Sequence, residues 1–249
     1  MVHRMTKTGF WLADNSVPAA EIIADLEFDF VMLDLEHGMF DLATLSRHVP
    51  LLLGLGLEVF AKVIGPDREP IQQALDFGCT GVIVPHIGGL AHARTVTEYA
   101  KYPPVGTRSL ASGRNTTWGP MTAEAVAAAD AGTLSFPLIE ESDALADIEK
   151  IAALSTVDGL MIGQADLSMS RGRGMYTRSE ADLADMNRIV DAIQAAQKPW
   201  MCAGWAQDEL DWAISRGASR IILGVQYASF GIGARAAKDA YDSRVGALR

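Results

Sequence analysis

The chain has little cysteine. Cys79 and Cys202 are its two in 249 residues, and they stand in no CxxC spacing. That excludes a disulfide framework and fits a reducing compartment. Positive charge is also short. Twenty-one Lys and Arg against 31 Asp and Glu leave a formal net charge of −10. A phosphate backbone needs a basic face, so the balance argues against a nucleic-acid partner, although a few local cations can still hold a small anion. No apolar run reaches the ~20 residues that span a bilayer, and "MVHRMTKTGFWLADNS" has no signal-peptide h-region. These absences predict a soluble, cytoplasmic protein that engages no membrane. There is no internal repeat, no low-complexity segment, no Walker or GxGxxG pattern, and no HxH or HxxxH ligand spacing among His3, His37, His48, His86 and His92.

What is present is a large apolar fraction, 49%, with an ordinary 21% of charged residues. The apolar residues come in short runs, each followed by a longer segment of helical period. Strands are expected at 9–12, 30–35, 59–63, 81–85, 134–139, 159–162, 200–203 and 220–224. Helices are expected at 18–26, 42–53, 68–77, 90–99, 143–153, 179–196 and 208–216, with a helical tail from Arg235. Strands that are apolar throughout fit a parallel sheet covered on both faces. About eight βα units with no linker, in a length near the ~250 residues typical of the fold, predict one α/β domain over 1–249, a TIM (β/α)8 barrel. A doubly wound open sheet satisfies the same local patterns. Residues 102–122, "YPPVGTRSLASGRNTTWGPMT", break the rhythm, and a loop so long is usually functional or an interface.

In a barrel, residues at the C-terminal strand ends surround the active site. "FVMLDLEHG" is such an end, where an apolar run gives way to Asp34, Glu36 and His37. Trp11 lies on the first strand, Lys62 on the third, Glu140 just past the fifth in "FPLIEES", and Asp166 after the sixth in "LMIGQADLS". Glu140 and Asp166 are the leading pair. Two carboxylates converging at an apolar strand end repel unless a proton or cation lies between them, and hard oxygen ligands suit Mg²⁺ or Mn²⁺. Alternatively each caps the following helix. His37 suits general acid–base work near neutral pH, oriented by Asp34 or Glu36, or is a histidine satisfied by a neighbouring carbonyl. Lys62 in "VFAKVI" must meet an anion, either a substrate or Asp34 or Glu36. His86, after Pro85, ranks below His37 as a mouth residue.

Together "GFWLA", "FDFVMLDLEHG", "REPIQQALDFGCTGVIVPHI", "YPPVGTRS", "IEESDAL" and "DGLMIGQADLS" resemble the HpcH/HpaI aldolase family over nearly the whole chain. The resemblance implies that Glu140 and Asp166 are metal ligands for Mg²⁺ or Mn²⁺, with Co²⁺ a further candidate. It implies that His37 is the general base with Asp34 as its partner, that Trp11 lines the pocket, and that the backbone at Gly163 and Ala165 approaches a pyruvate carboxylate. It further implies a barrel with an exchanged terminal helix, assembled as a hexamer, a trimer of dimers. Where the family usually has an arginine on the third strand this chain has Lys62, and where it commonly has a glutamine two residues before the metal glutamate this chain has Leu138.

The expected activity is that of a class II aldolase. It makes or breaks a carbon–carbon bond between pyruvate, or a related 2-oxo acid, and an aldehyde, and Lys62 serves as a fixed cation beside the pyruvyl oxygen. Two alternatives stand beside it: a citrate-lyase-like or malyl-CoA-type lyase, and a catalytically impaired relative that binds 2-oxo acids.

Overall fold

The computed structural model describes residues 6–246; His3 and the outermost residues of the expected 1–249 domain lie outside them. Eight strands alternate with helices: β1 (Lys7–Leu12), β2 (Phe30–Asp34), β3 (Glu58–Lys62), β4 (Gly81–Val84), β5 (Leu134–Ile139), β6 (Leu160–Ile162), β7 (Trp200–Ala203) and β8 (Arg220–Val225). Every neighbouring pair is parallel, and β8 pairs with β1 through Lys7↔Arg220. The sheet is therefore a closed barrel, which sets the open-sheet alternative aside.

Side chains alternate across each strand, so every strand feeds two cores. Phe30, Met32, Phe60, Ile83, Phe136, Leu138, Met161, Met201 and Ile222 plug the barrel interior. The rings of Phe30 and Phe136 each lie 5.8 Å from that of Phe60. Val31, Leu33, Val59, Ala61, Val82 and Val84 face the other way and pack against the helices. The interior parity of β2, β3 and β5, continued past the plug, ends on Asp34, Lys62 and Glu140. At the opposite end Glu58 is held by Lys7 and by Arg220, whose Nη2 lies 2.9 Å away, and Arg220 stacks on Phe60. This ion network lies across the bottom of the barrel, and the charged residues of the opposite end face its mouth.

The helices follow their caps. α1 (Val17–Asp25) starts at Ser16 with a proline in its first turn, and α2 (Leu42–Gly54) starts at an Asp41–Thr44 capping box. α3 (Arg68–Asp76) and α4 (Leu90–Glu98) match the sequence pattern. Four expectations change, the last of them at the C-terminal helix. The Ala-rich stretch after the long loop is a helix, α5 (Ala123–Gly132), begun by the Thr122 hydroxyl. The segment expected as one helix at 143–153 is two, α6 (Ser142–Ala146) and α7 (Ile148–Ala152), broken at Asp147, whose carboxylate instead accepts from the Leu90 N–H at 3.1 Å. A short helix, α8 (Gln164–Ser170), follows β6 directly and carries Asp166 in its first turn. α9 (Glu180–Ala195) and α10 (Gln207–Ser215) complete the wall.

The last helix, α11 (Gln226–Gly246), begins straight after β8 rather than at Arg235. Its first turn is latched to the β1 end: Gln226 accepts from the Ala13 N–H at 2.8 Å and donates to Asp14 at 2.7 Å, and Tyr227 donates to Asp14 at 2.8 Å. Beyond that turn it leaves the barrel, with Phe230, Ile232 and Tyr241 all exposed. Residues 102–122 hold one 3₁₀ turn, Arg114–Thr116, and are pinned by Arg108, which is buried, 2.6 Å from Asp76 and stacked on Tyr102.

Candidate active site

The mouth begins where β2 ends. Gly38 closes "DLEHG" because nothing larger fits: a Cβ there would lie 2.2 Å from the Asp34 carbonyl oxygen and 2.6 Å from that of Ala13. The turn this permits buries Asp34 and aims Glu36 across the mouth. Asp34 Oδ1 accepts the His37 backbone N–H at 3.1 Å, so it fixes the turn rather than the imidazole. Glu36 is the hub. Its Oε2 is 2.5 Å from Lys62 Nζ and 3.5 Å from His37 Nε2, and its Oε1 is 2.6 Å from His86 Nε2. Burial pushes the Glu36 carboxyl up, but hydrogen bonds from Lys62 and His86 and the Lys62 charge outweigh burial and hold it below the usual carboxylate range. Lys62 also lies 5.4 Å from the Trp11 ring centroid, a cation–π contact.

Glu140 sits across the mouth with 3% of its surface exposed. Its Oε1 accepts the His86 backbone N–H at 2.8 Å and lies 3.6 Å from that ring's Nδ1. His86 thus spans Glu36 and Glu140, and it does so from a left-handed backbone, φ +57°. For a non-glycine residue that costs about 1–3 kcal/mol and persists only where surroundings enforce it. Burial raises the Glu140 carboxyl above its usual range; the His86 N–H and the charges of Lys62 and His86 work against that, and the nearby Asp166 carboxylate adds to it. Gly163 is a cradle for this group, since a Cβ would lie 2.8 Å from Glu140 Cβ and 3.2 Å from Oε2.

A cavity of about 320 Å³ gathers Trp11, Lys62, Glu140, Gly163, Ala165 and Asp166 in one wall system. His37 and Asp34 are not in that wall. The His37 ring stands on the rim, 70% exposed, and the Gly163 N–H is already donated to the Ile139 carbonyl at 3.0 Å. Glu36 and His86 are more central than the sequence indicates. The apolar run ending in ionisable groups marked Glu36. Nothing local in "VPHI" shows that the chain turns left-handed at His86.

Glu140 and Asp166 fit a divalent cation in one respect: a buried carboxylate and an exposed one are close enough to repel, and a cation between them removes that repulsion. Among the described residues no three His, Cys, Asp or Glu side chains group as metal ligands. A cation there would have these two carboxylates as protein ligands, with water and substrate filling the other positions, the pattern Mg²⁺ prefers over an all-protein cage.

Residues 7–226 match the family model described as HpcH/HpaI aldolase/citrate lyase. The chain belongs to the HpcH/HpaI aldolase/citrate lyase family. Among similar proteins, a 4-hydroxy-2-oxovalerate aldolase of Novosphingobium aromaticivorans is 30% identical over 227 residues, covering 91% of this chain and 86% of the relative. A hydroxypyruvate/pyruvate aldolase of Pseudomonas aeruginosa is 32% identical over 79% of this chain and 72% of its own length. In structure, an HpcH/HpaI aldolase from Desulfitobacterium hafniense superposes with a TM-score of 0.88 at 23% identity, covering 95% and 92% of the two chains, a likeness of fold. HpcH/HpaI membership agrees with the resemblance drawn from the strand-end motifs. The family's name spans two chemistries, aldol and citrate cleavage, and the choice between them falls to the site.

Proposed function

We propose that this chain is a cytoplasmic, divalent-metal-dependent pyruvate aldolase. It cleaves or forms the C3–C4 bond of 4-hydroxy-2-oxo acids, acts through a single barrel domain spanning 1–249, and assembles as a hexamer. One observation carries the reading: a buried carboxylate, a second carboxylate and a lysine cation converge on one cavity at the strand ends of a closed barrel. Aldolase names among relatives at about 30% identity over most of the chain support it. The two cysteines support a reducing compartment, for both are buried, unpaired and pushed up to about 12 by burial, out of reach as thiolates.

A divalent cation held by Glu140 and Asp166 would supply Lewis-acid stabilisation of charge developing on the keto oxygen. The chain's own groups do the rest. Lys62, fixed by Glu36 and Trp11, sets a positive charge beside that oxygen. The unpartnered, buried Trp11 Nε1–H offers a donor to the same region. His37 on the rim accepts the proton of the C4 hydroxyl, with Glu36 stabilising the imidazolium. The C3–C4 electron pair then passes to the 2-oxo acid as an enolate, the aldehyde leaves, and C3 takes a proton to give pyruvate. The backbone at Ala165, in the first turn of α8, places the substrate carboxylate end, and Gly163, its N–H given to Ile139, contributes the space beside Glu140.

The test is pyruvate release from a 4-hydroxy-2-oxo acid with Mg²⁺, Mn²⁺ or Co²⁺. Release only from a citrate or malyl-CoA substrate would assign the lyase chemistry instead. Binding of 2-oxo acid without turnover would assign the impaired relative.

A further inference from the structure

The cavity is chemically two-sided. Its charged groups, Lys62, Glu140 and Asp166, come from β3, the end of β5 and α8. Its outer wall is Met169, Met175, Tyr176 and Trp205, with Ala203 beneath. Met175 is 76% exposed and Trp205 49%, large apolar groups standing open at a mouth.

The Tyr176 hydroxyl and the Gln164 amide nitrogen are engaged elsewhere. The Tyr176 hydroxyl lies 3.6 Å from Met186 Sδ, and its phenol is pushed up by burial and by the Glu209 carboxylate, with which it also hydrogen-bonds. Gln164 donates its amide to the Ala203 carbonyl at 3.2 Å. The arginines that bracket the Met175 segment are taken too: Arg173 is 2.8 Å from both Asp182 and Asp185, and Arg178 is paired with Asp208. No Ser, Thr, Asn, Arg or His is among the described residues lining the cavity. Deeper in, Leu138 presents hydrocarbon.

From this we infer that the aldehyde taken by the site carries an apolar chain, aliphatic or aromatic, of several carbons, and not a polyhydroxylated or anionic one. The inference rests on the aldolase reading and names its electrophile. A sugar-like chain laid on this wall would lose water against two methionines and an indole and find no Ser, Thr, Asn, Arg or His to bond its several hydroxyls, and a buried unpaired hydroxyl is penalised. An anionic chain would meet no free cation there. An apolar chain displaces water from methionine and indole surface, and methionines adapt to chains of different shape.

The experiment compares kcat/KM for condensation of pyruvate with hexanal, phenylacetaldehyde, glyceraldehyde and succinic semialdehyde, using the Mn²⁺-loaded enzyme. The two apolar aldehydes should lead by roughly tenfold or more, the range one or more buried methylenes give. Trp205→Ser and Met175→Ser should compress that lead, chiefly through aldehyde KM. Equal values, or a lead for glyceraldehyde or succinic semialdehyde, would overturn the inference. Exchange of the pyruvate methyl protons in D₂O, run in parallel without aldehyde, reads enolate formation alone. Exchange without an apolar lead overturns the inference and leaves the aldolase reading standing. No exchange and no condensation with any aldehyde overturns both.

Discussion

Lys62 Nζ lies 2.5 Å from Glu36 Oε2, and both side chains are nearly closed off from solvent. A buried pair of this kind is costly to break by halves, because the remaining charge keeps its desolvation penalty. Lys62→Ala should therefore lose activity and destabilise the fold by about 3 kcal/mol, read by chemical denaturation. Lys62→Arg should retain turnover, since guanidinium keeps the charge and can still pair with Glu36. A Schiff-base lysine would reverse the arginine result, and a pyruvyl adduct on Lys62 after borohydride reduction, with activity surviving chelation, would refute the fixed-cation role.

Glu140→Gln and Asp166→Asn should each weaken divalent-metal binding in a calorimetric titration and remove metal-dependent turnover. The folds should survive, and Glu140→Gln should if anything raise thermal stability without metal, because a burial-penalised carboxylate is replaced by a neutral amide. Unchanged metal affinity in both variants would end the assignment.

His37 tests the division of labour on the rim. Removing it should slow aldol cleavage by roughly 10²–10⁴-fold. Decarboxylation of oxaloacetate by the same enzyme forms an enolate with no C4 hydroxyl to deprotonate, so it should fall far less. Parallel losses in the two reactions would mean that His37 is not the base.

The barrel floor predicts a pH effect away from the site. Burial raises the Glu58 carboxyl, but hydrogen bonds from Lys7 and Arg220 and their charges outweigh that and hold it below its usual range. A carboxyl lowered on folding stabilises above its unfolded value, near ~4.3, and loses that contribution as pH falls through the lowered one. Glu58→Gln should cost roughly 1–2 kcal/mol at pH 7, and its deficit should shrink progressively below about pH 4. A deficit constant down to pH 3 would show that the carboxylate charge is not what matters.

The exposed length of α11 makes assembly a quantity to measure. The apolar Phe230, Ile232 and Tyr241 face solvent in the single chain, and exchange between subunits would cover them. Light scattering at micromolar concentration should give a multiple of the 26.7 kDa chain mass, and Phe230→Glu with Ile232→Glu should lower it. A monomer in the unmutated protein would refute the hexamer.

The strands were legible because burial on both faces leaves unbroken apolar runs, and the charges that end them announced Asp34, Glu36, Lys62 and Glu140. Helix α5 was not, because "AEAVAAADAG" has too few large apolar residues to show a period. The break at Asp147 depends on a hydrogen bond from Leu90, a tertiary contact no local window contains. The role of His86 is hidden from a local window for the same reason. Its left-handed turn and its span between Glu36 and Glu140 follow from how three strand ends meet around the barrel, whereas His37 stands inside the visible motif.

The inward parity that stacks Phe60 beneath Lys62 and Phe136 and Leu138 beneath Glu140 has a consequence for how the gene can change. Deleting one residue in β3 ahead of Ala61 would turn every later side chain of the strand to the opposite face, sending Lys62 into the helix layer, bringing Val63 to its place at the mouth and putting Ala61 where the plug has its phenylalanine. The charged rim and the barrel plug share one reading frame of side chains. Lineages can exchange residues in it but cannot lengthen or shorten it, so insertions must accumulate beyond the strand ends, in stretches such as 102–122 and 171–179.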